Sequence, residues 1–180
     1  MMRRINVGRI IFDHFKTLRS LNQSYNFMNI GDIFLFLILP LILAITTTLN
    51  GYNFQNHLTD LIATISILGG FLFNLLVVIY SQIDNIRSDL NISDSNDYEA
   101  IIKNKFVNEI HSNISFAIVL SLFLLITLLS TTIDIPEIFP QKITKLFLIF
   151  VNYFLMCLFS LTLLMIISRI YVLFKKNRIQ

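Results

Sequence analysis

Residues Leu61–Tyr80 read LIATISILGGFLFNLLVVIY and contain no charged side chain. A helix needs about 20 mostly apolar residues to cross the hydrocarbon core of a bilayer, and this run has that length. The backbone groups of a helix satisfy one another, so such a run can lie in lipid without water. The stretch therefore predicts a transmembrane helix.

Three further runs share this character. None contains Asp, Glu, Lys, Arg or His, and they cover Ile33–Leu49, Ile114–Ile133 and Leu146–Ser168. In chain order, together with Leu61–Tyr80, they are called spans one to four. Of all residues 55 % are hydrophobic and 14 % are charged, whereas about 25 % are charged in a soluble domain. The sequence therefore predicts an all-α integral membrane protein with four transmembrane helices.

The basic residues indicate how these spans are oriented. Of the 14 Lys and Arg residues, only Lys142 and Lys145 lie outside the segments 1–32, 81–113 and 169–180. Cytoplasmic loops of membrane proteins carry an excess of Lys and Arg. We therefore expect a multi-pass protein of the inner (plasma) membrane, with both termini and the connector 81–113 in the cytoplasm. Residues 169–180 then form a cytoplasmic basic tail.

The segment 1–32 contains an amphipathic pattern. Apolar side chains recur at helical spacing with charged ones between them: Ile10, Ile11, Phe15, Leu18 and Leu21 against Arg9, Asp13, Lys16 and Arg19. This pattern predicts a cytoplasmic amphipathic helix. One interpretation places it on the inner leaflet with its cations at lipid phosphates, and the other packs it against cytoplasmic helices of an assembly. The candidate lipid contacts are Arg3, Arg4, Arg9, Lys16 and Arg19.

The connector Ser81–Asn113 is too long for a tight turn between two spans. Its middle, Asn91–Asp97, is polar and rich in turn-forming residues. An apolar stripe at helical spacing follows, formed by Tyr98, Ile101, Ile102, Phe106 and Ile110. Asn96, with Glu99 three residues later, fits a capping box at the start of a helix. We expect spans two and three to continue into a cytoplasmic helical hairpin.

No arrangement typical of catalysis or metal binding occurs in the sequence. His14, His57 and His111 are far apart, and His57 with Asp60 fits two interfacial polar residues better than a metal or proton site. The single cysteine, Cys157, lies in an apolar run and is interpreted as a packing residue. Ion-coupled transporters rely on ionisable residues within their spans, and these spans have none. The sequence predicts neither an enzyme nor a bound cofactor or metal.

Span two contains the most polar stripe at bilayer depth. Ala63, Ser66, Gly70 and Asn74 follow one another at intervals of three and four residues, so they share one helical face. Small residues let a second helix approach closely, and an amide can form a hydrogen bond across the contact. Two interpretations remain open. Ser66, Gly70 and Asn74 line a pore around a symmetry axis, or they pack span two against a neighbour within one subunit.

Two further residues within the spans carry structural expectations. Asn152 in span four is expected to form a hydrogen bond between helices. Pro40 in span one is expected to kink that helix because it lacks a backbone N–H. The kink is also a candidate gating hinge.

These features favour one function over two others. Four helices do not enclose a wide aqueous path alone, but several copies can bring a polar face to a common axis. The first hypothesis is a homo-oligomeric ion channel or membrane-permeabilising pore, favoured as a tetramer and controlled from the cytoplasm. The second is a non-conducting membrane sensor or scaffold that anchors a cytoplasmic partner. The third is a small exporter.

The basic amphipathic amino-terminal helix, the four spans and the long connector Ser81–Asn113 together resemble small four-pass membrane proteins of bacterial antiphage defence. The Hailong membrane-channel effectors are similar in outline, with the Kiwa membrane sensors as a second choice. The resemblance implies a tetrameric inner-membrane protein held silent by a cytoplasmic protein or a nucleotide-derived regulator. It also implies depolarisation of the infected cell. The basic residues of segment 1–32 would then contact an anionic ligand: Arg3, Arg4, Arg9, Lys16 and Arg19.

Overall fold

The computed structural model describes residues 6–18, 31, 34–92, 98–133 and 140–176, with the side chains of 82–103 and 173–176 left out. All regular elements in these ranges are helical. They are α1 (Val7–Thr17), a π-helical segment (Phe34–Ile38) leading into α2 (Leu39–Leu49), a 3-10 helix (Gln55–His57), α3 (Leu58–Ile92), α4 (Tyr98–Ser130) and α5 (Gln141–Lys176).

Three of these helices are long and apolar enough to cross a membrane. The crossing stretches are Gln55–Ser81, Asn104–Ser130 and Gln141–Val172, which correspond to spans two, three and four. Span one forms the shorter apolar helix Phe34–Leu49. At 1.5 Å per residue its length is about 24 Å, compared with a hydrocarbon core of about 30 Å. An all-α structure with three helices that are long and apolar enough to cross a membrane is therefore confirmed, while a fourth crossing stays a prediction.

The long helices pack as an open row in the order α3, α4, α5, α2. Each helix contacts the next, but within the described residues α3 has no close backbone contact with α5 or α2. A four-helix bundle would close by bringing the outer two helices together. Here the segment between α2 and α3 crosses the end of the row instead. Its buried Phe54 packs edge-to-face on Tyr153 of α5, with ring centroids 5.4 Å apart.

The core of the row lies around α4. Ile110, Ile114, Leu124 and Leu128 of this helix are fully buried, because α4 has a neighbour on each side and α1 against it as well. On α3, the residues that face α4 include Ile65, Leu72 and Ile79.

Gly69 allows α3 to approach α4 closely. A Cβ atom at Gly69 would lie 3.1 Å from the hydroxyl oxygen of Ser121, whereas a Cβ atom at Gly70 would meet nothing within 4 Å. Gly69 is buried and Gly70 is exposed. The sequence pattern places Gly70 in the stripe of small residues, but within the subunit it is Gly69 that makes the close contact with α4.

This difference leads to a paired prediction. Gly69→Leu should lower the free energy of unfolding in detergent by about 2 kcal/mol, because its side chain overpacks the contact with α4. Gly70→Leu should leave the stability of the isolated subunit nearly unchanged, since its side chain enters open space. Thermal unfolding of both variants checks this. Equal losses would mean that Gly70 also faces a helix of its own subunit.

Two long helices continue beyond their spans, as the connector sequence predicts. Helix α3 runs to Ile92, and α4 begins at Tyr98 and continues without a break into span three. The predicted cap residue Asn96 lies outside the described residues.

The predicted end of span three at Ile133 is too late. Helix α4 ends at Ser130. The hydroxyls of Ser130, Thr131 and Thr132 donate to backbone carbonyls three or four residues earlier. Such local hydrogen bonds compete with continued helix.

Helix α1 buries a different face from the predicted one. Ile10, Ile11 and Leu18 do face the protein, but the fully buried residue between them is His14, not Phe15. Phe15 is 36 % exposed, and Leu21 lies outside the described residues. The difference arises because His14 forms a hydrogen bond with Asn113 of α4. The residue pattern of α1 alone does not reveal this partner.

Pro40 is buried, and the helix before it widens into the π-helical segment. A proline ring clashes with the carbonyl group four residues earlier and supplies no N–H for it. For Pro40 that carbonyl belongs to Phe36, which lies inside the π-helical segment. A π-helical turn is a known way to accommodate such a break, and it often occurs at functional sites.

Candidate functional site: an exposed polar stripe and a buried joint

The first candidate site is the stripe Ser66, Gly70 and Asn74 on α3, here called the outer stripe. All three residues are exposed and lie on the side of α3 that faces away from α4. Large apolar side chains flank them, with Ile67 and Phe71 exposed by 72 % and 67 %. Among the described residues, the stripe does not pack α3 against another helix of the subunit. Ile65, Gly69, Leu72 and Ile79 have that role.

The polar groups of the outer stripe differ in how they are satisfied. The hydroxyl of Ser66 donates to the carbonyl of Ile62 at 2.7 Å. The amide of Asn74 makes no hydrogen bond within the part of the chain that the structure describes. Asn74 lies six residues, or about 9 Å along the helix, before Tyr80 at the end of span two. Lipid chains offer no hydrogen-bond partner at that depth, so this amide needs water or a protein partner beyond the described residues.

The second candidate site joins α1 to the row and is here called the α1 joint. Its members are His14, Thr17, Glu109, Asn113 and Arg169. His14 Nδ1 lies 3.0 Å from Asn113 Oδ1, and the Thr17 hydroxyl lies 2.7 Å from the same oxygen. Asn113 is completely buried on α4. The Thr17 hydroxyl has two acceptors at 2.7 Å for its single hydrogen, this amide oxygen and the backbone carbonyl of His14. One amide oxygen of α4 therefore lies within hydrogen-bond distance of two polar groups of α1.

Aromatic rings surround the histidine of the joint. The His14 imidazole stacks on Phe116 of α4, with centroids 3.8 Å apart and planes at 7°. Phe36 of the π-helical segment approaches it edge-on at 6.3 Å. His14 thus contacts both α4 and the entry to α2.

An ion pair completes the joint from α5. Arg169 Nη1 donates to a carboxylate oxygen of Glu109, and the two side chains are only 19 % and 16 % exposed. Arg169 Nη2 donates to the backbone carbonyl of Thr17 at 2.8 Å. Thr17 is the last residue of α1, where unpaired carbonyls attract a cation. Arg169 therefore connects α1, α4 and α5.

The joint also contains an unpaired buried donor. Asn113 Nδ2 has no hydrogen-bond partner among the described residues. A buried donor without a partner costs about 1–3 kcal/mol. The joint is thus held by several hydrogen bonds yet is less stable than a fully satisfied network would be.

Burial lowers the pKa of His14 from 6.5 to about 4. The hydrogen bond with Asn113 opposes this shift, and the charge of Arg169 adds to it. His14 is therefore neutral at pH 7, and in this arrangement Nδ1 carries the hydrogen that Asn113 accepts. Glu109 and Arg169, the other charged groups of the joint, form an ion pair with each other.

The lowered pKa predicts how docking of α1 depends on pH. The undocked histidine binds a proton below its ordinary pKa of 6.5, whereas the docked one resists until about pH 4. Docking is fully stable above pH 6.5 and weakens as the pH falls, by about 2 kcal/mol near pH 5. Thermal stability in detergent measured from pH 7 to pH 5 should fall more steeply for wild type than for His14→Gln. Parallel curves would contradict the prediction.

Other polar residues singled out by the sequence have structural roles. Asn152 is fully buried, and its Oδ1 accepts from the Thr127 hydroxyl of α4 at 2.7 Å. Its Nδ2 donates to the carbonyl of Leu148 at 2.9 Å. The predicted hydrogen bond between helices is confirmed. His57 and Asp60 form an exposed pair at 4.0 Å, and the described residues contain no cluster that could hold a metal ion.

The predicted basic contacts are only partly described. Arg3, Arg4 and Arg19 lie outside the described residues. Arg9 and Lys16 are exposed on α1, and Arg9 forms an ion pair with Asp13 at 3.7 Å.

The α1 joint is the candidate site that sequence reasoning missed. Two signals for it exist. His14 occupies the same helical face as Ile10, Ile11 and Leu18, and Asn113 and Arg169 stand immediately outside two charge-free stretches. No protein-family model, curated protein or solved structure matches the chain.

Proposed function

We propose that the protein is a homo-oligomeric membrane channel in which the outer stripe of α3 faces the ion path. In this proposal four copies surround one axis, and ions pass along Ser66, Gly70 and Asn74. When several copies form a ring, the polar face of one helix from each copy can line a central pore filled with water.

The amide of Asn74 is the observation that supports this proposal most directly. It lies on the outside of the subunit, within a stretch long and apolar enough to cross a membrane, and it has no partner in the described chain. An unsatisfied amide facing lipid is costly, so a neighbouring copy or a water-filled pore is its natural environment. Gly70, one turn earlier, leaves open space for a close approach.

The open row supports assembly into a ring. Helices α3 and α2 lie at its two edges and do not contact each other within the described residues. A subunit with two different free edges suits head-to-tail contacts, which close into a ring when the rotation allows it. In the proposed oligomer, α2 is the fourth crossing helix and both termini are cytoplasmic.

Control from the cytoplasm would act through α1. The α1 joint places His14 against Phe36, four residues before Pro40. Undocking of α1 would remove this contact from the π-helical segment, which is the natural hinge of α2. The proposed role in bacterial antiphage defence rests on the architectural resemblance, with a cytoplasmic protein or a nucleotide-derived ligand acting on α1.

Ion flux through the purified protein in liposomes tests this proposal. Wild type and Asn113→Leu, which weakens the α1 joint, should both be measured because a docked α1 could keep the channel closed. Introducing Asn74→Leu into whichever protein conducts should abolish or strongly reduce the flux. The matched control is Ser160→Leu. Ser160 is an exposed polar residue of span four that lies on α5, so its replacement should leave the flux unchanged.

The outcomes separate the proposed functions. Flux that is insensitive to Asn74→Leu would keep the channel and remove α3 from its lining. Absence of flux from both folded, oligomeric proteins would contradict the channel and favour the non-conducting sensor or scaffold. Transport that requires a proton gradient would favour the small exporter.

A further inference from the structure

Helix α1 has three sectors rather than two. One sector faces the protein and contains Ile10, Ile11 and His14. The second is exposed and apolar, with Phe12 69 % and Phe15 36 % exposed. The third is charged and contains the exposed Arg9 and Lys16 and the half-buried Asp13. At 100° per residue the apolar sector lies between the other two.

The level of α1 relative to the spans follows from its contacts. His14 stacks on Phe116 and approaches Phe36 edge-on. Each phenylalanine lies in the first turn of a charge-free stretch. Phe116 belongs to the stretch that begins at Ile114, and Phe36 to the one that begins at Ile33. Arg169, which holds the end of α1, comes directly after the charge-free stretch of span four. Helix α1 therefore docks where the apolar part of the row ends.

We propose that α1 lies in the plane of the membrane interface, with Phe12 and Phe15 among the acyl chains and its cations at the phosphates of anionic lipids. The partner of this surface is thus the lipid leaflet on the α1 side. The proposal does not depend on ion conduction, since it concerns α1 alone.

Three observations identify lipid as the occupant of the apolar sector. At the docking level, the neighbouring π-helical segment also exposes large apolar side chains, Phe34 and Leu37, by 52 % and 51 %. At the level where His14 approaches Phe36, α1 and a stretch that the sequence places in the bilayer thus both expose apolar side chains. The charged sector lies next to the apolar one, as in helices that lie in an interface. The segment 1–32 carries five basic side chains and two acidic ones, which suits anionic headgroups.

The surface has a consequence for regulation. A helix held between lipid on one side and the α1 joint on the other responds to changes in either contact. A ligand that draws the charged sector away from the headgroups would also pull on His14 and Arg169.

Tryptophan fluorescence tests the proposal, since the protein contains no tryptophan. The full chain with Phe12→Trp is placed in vesicles of phosphatidylcholine and phosphatidylglycerol that carry brominated acyl chains. The matched variant is Asp13→Trp, which lies 100° around α1 from Phe12 in the charged sector. Phe12→Trp should lose most of its emission to the brominated lipid and little to aqueous iodide. Asp13→Trp should show the reverse.

Each other outcome overturns part of the proposal. Quenching of Phe12→Trp by iodide alone would place α1 in water. Protection from both quenchers would mean that a second copy or another protein covers the apolar sector. Unchanged quenching of Phe12→Trp by brominated lipid, after all phosphatidylglycerol is replaced by phosphatidylcholine, would remove the requirement for anionic lipid.

Discussion

Arg169→Met should destabilise the subunit by about 3–5 kcal/mol, because it leaves the carboxylate of Glu109 largely buried without its partner. The substitution also removes the cation from the carbonyl end of α1. Two contacts of the α1 joint are therefore lost at once. Unfolding in detergent by increasing denaturant measures the loss.

Arg9→Met is the matched control for this change. It breaks the ion pair with Asp13, whose side chains are 78 % and 48 % exposed. Exposed pairs contribute about 0–1 kcal/mol, so the control should remain close to wild type. The double variant Arg169→Met with Glu109→Met should recover part of the loss, since no buried charge then remains. Equal effects of Arg169→Met and Arg9→Met would show that the joint is not a buried ion pair.

Asn113→Leu should release α1 from the row. The substitution removes the oxygen that accepts from His14 Nδ1 and puts an apolar side chain in its place. The Thr17 hydroxyl keeps the backbone carbonyl of His14 as an acceptor at 2.7 Å. Since one unsatisfied buried group costs about 1–3 kcal/mol, we expect docking of α1 to weaken by that amount. Amide hydrogen exchange of residues 7–17 should become much faster, while exchange within α4 and α5 stays slow.

Asn108→Leu provides the control on the same helix. Asn108 is exposed, and its amide donates to Asn104 one turn earlier on the same helix. Exchange in α1 should remain at the wild-type rate in this variant. If Asn113→Leu also left exchange in α1 unchanged, stacking on Phe116 and the Arg169 contact would be sufficient to hold the helix.

These two variants also separate stability from control of the proposed channel. Arg169→Met weakens the contact of α1 with α5, and Asn113→Leu weakens its contact with α4. If undocking of α1 opens the channel, both should raise ion flux through protein that remains assembled. Their effects should differ in size, because only Asn113→Leu frees His14 and thereby the contact with Phe36.

The sequence by itself determined the apolar helices and their approximate limits. A helix that crosses a bilayer must have a minimum length and must not expose an unpaired charge to lipid. A run such as Leu61–Tyr80 shows in its sequence that it meets both conditions. Helical continuation of spans two and three could be read as well, since the periodicity after Asn91–Asp97 is local. So could the role of Asn152, because a lone amide among apolar side chains requires a partner.

Only the tertiary structure decided which face of each helix is inside. In a soluble protein the apolar face of a helix marks its buried side, but helices α4 and α5 are apolar on all sides within their spans. Lipid and protein interior are equally apolar there, so sequence does not distinguish them. The outer stripe illustrates this, since Gly69 and Gly70 are neighbours and only one of them faces α4. The α1 joint has the same cause: His14 is buried because Asn113, 99 positions away, supplies the hydrogen bond that burial requires.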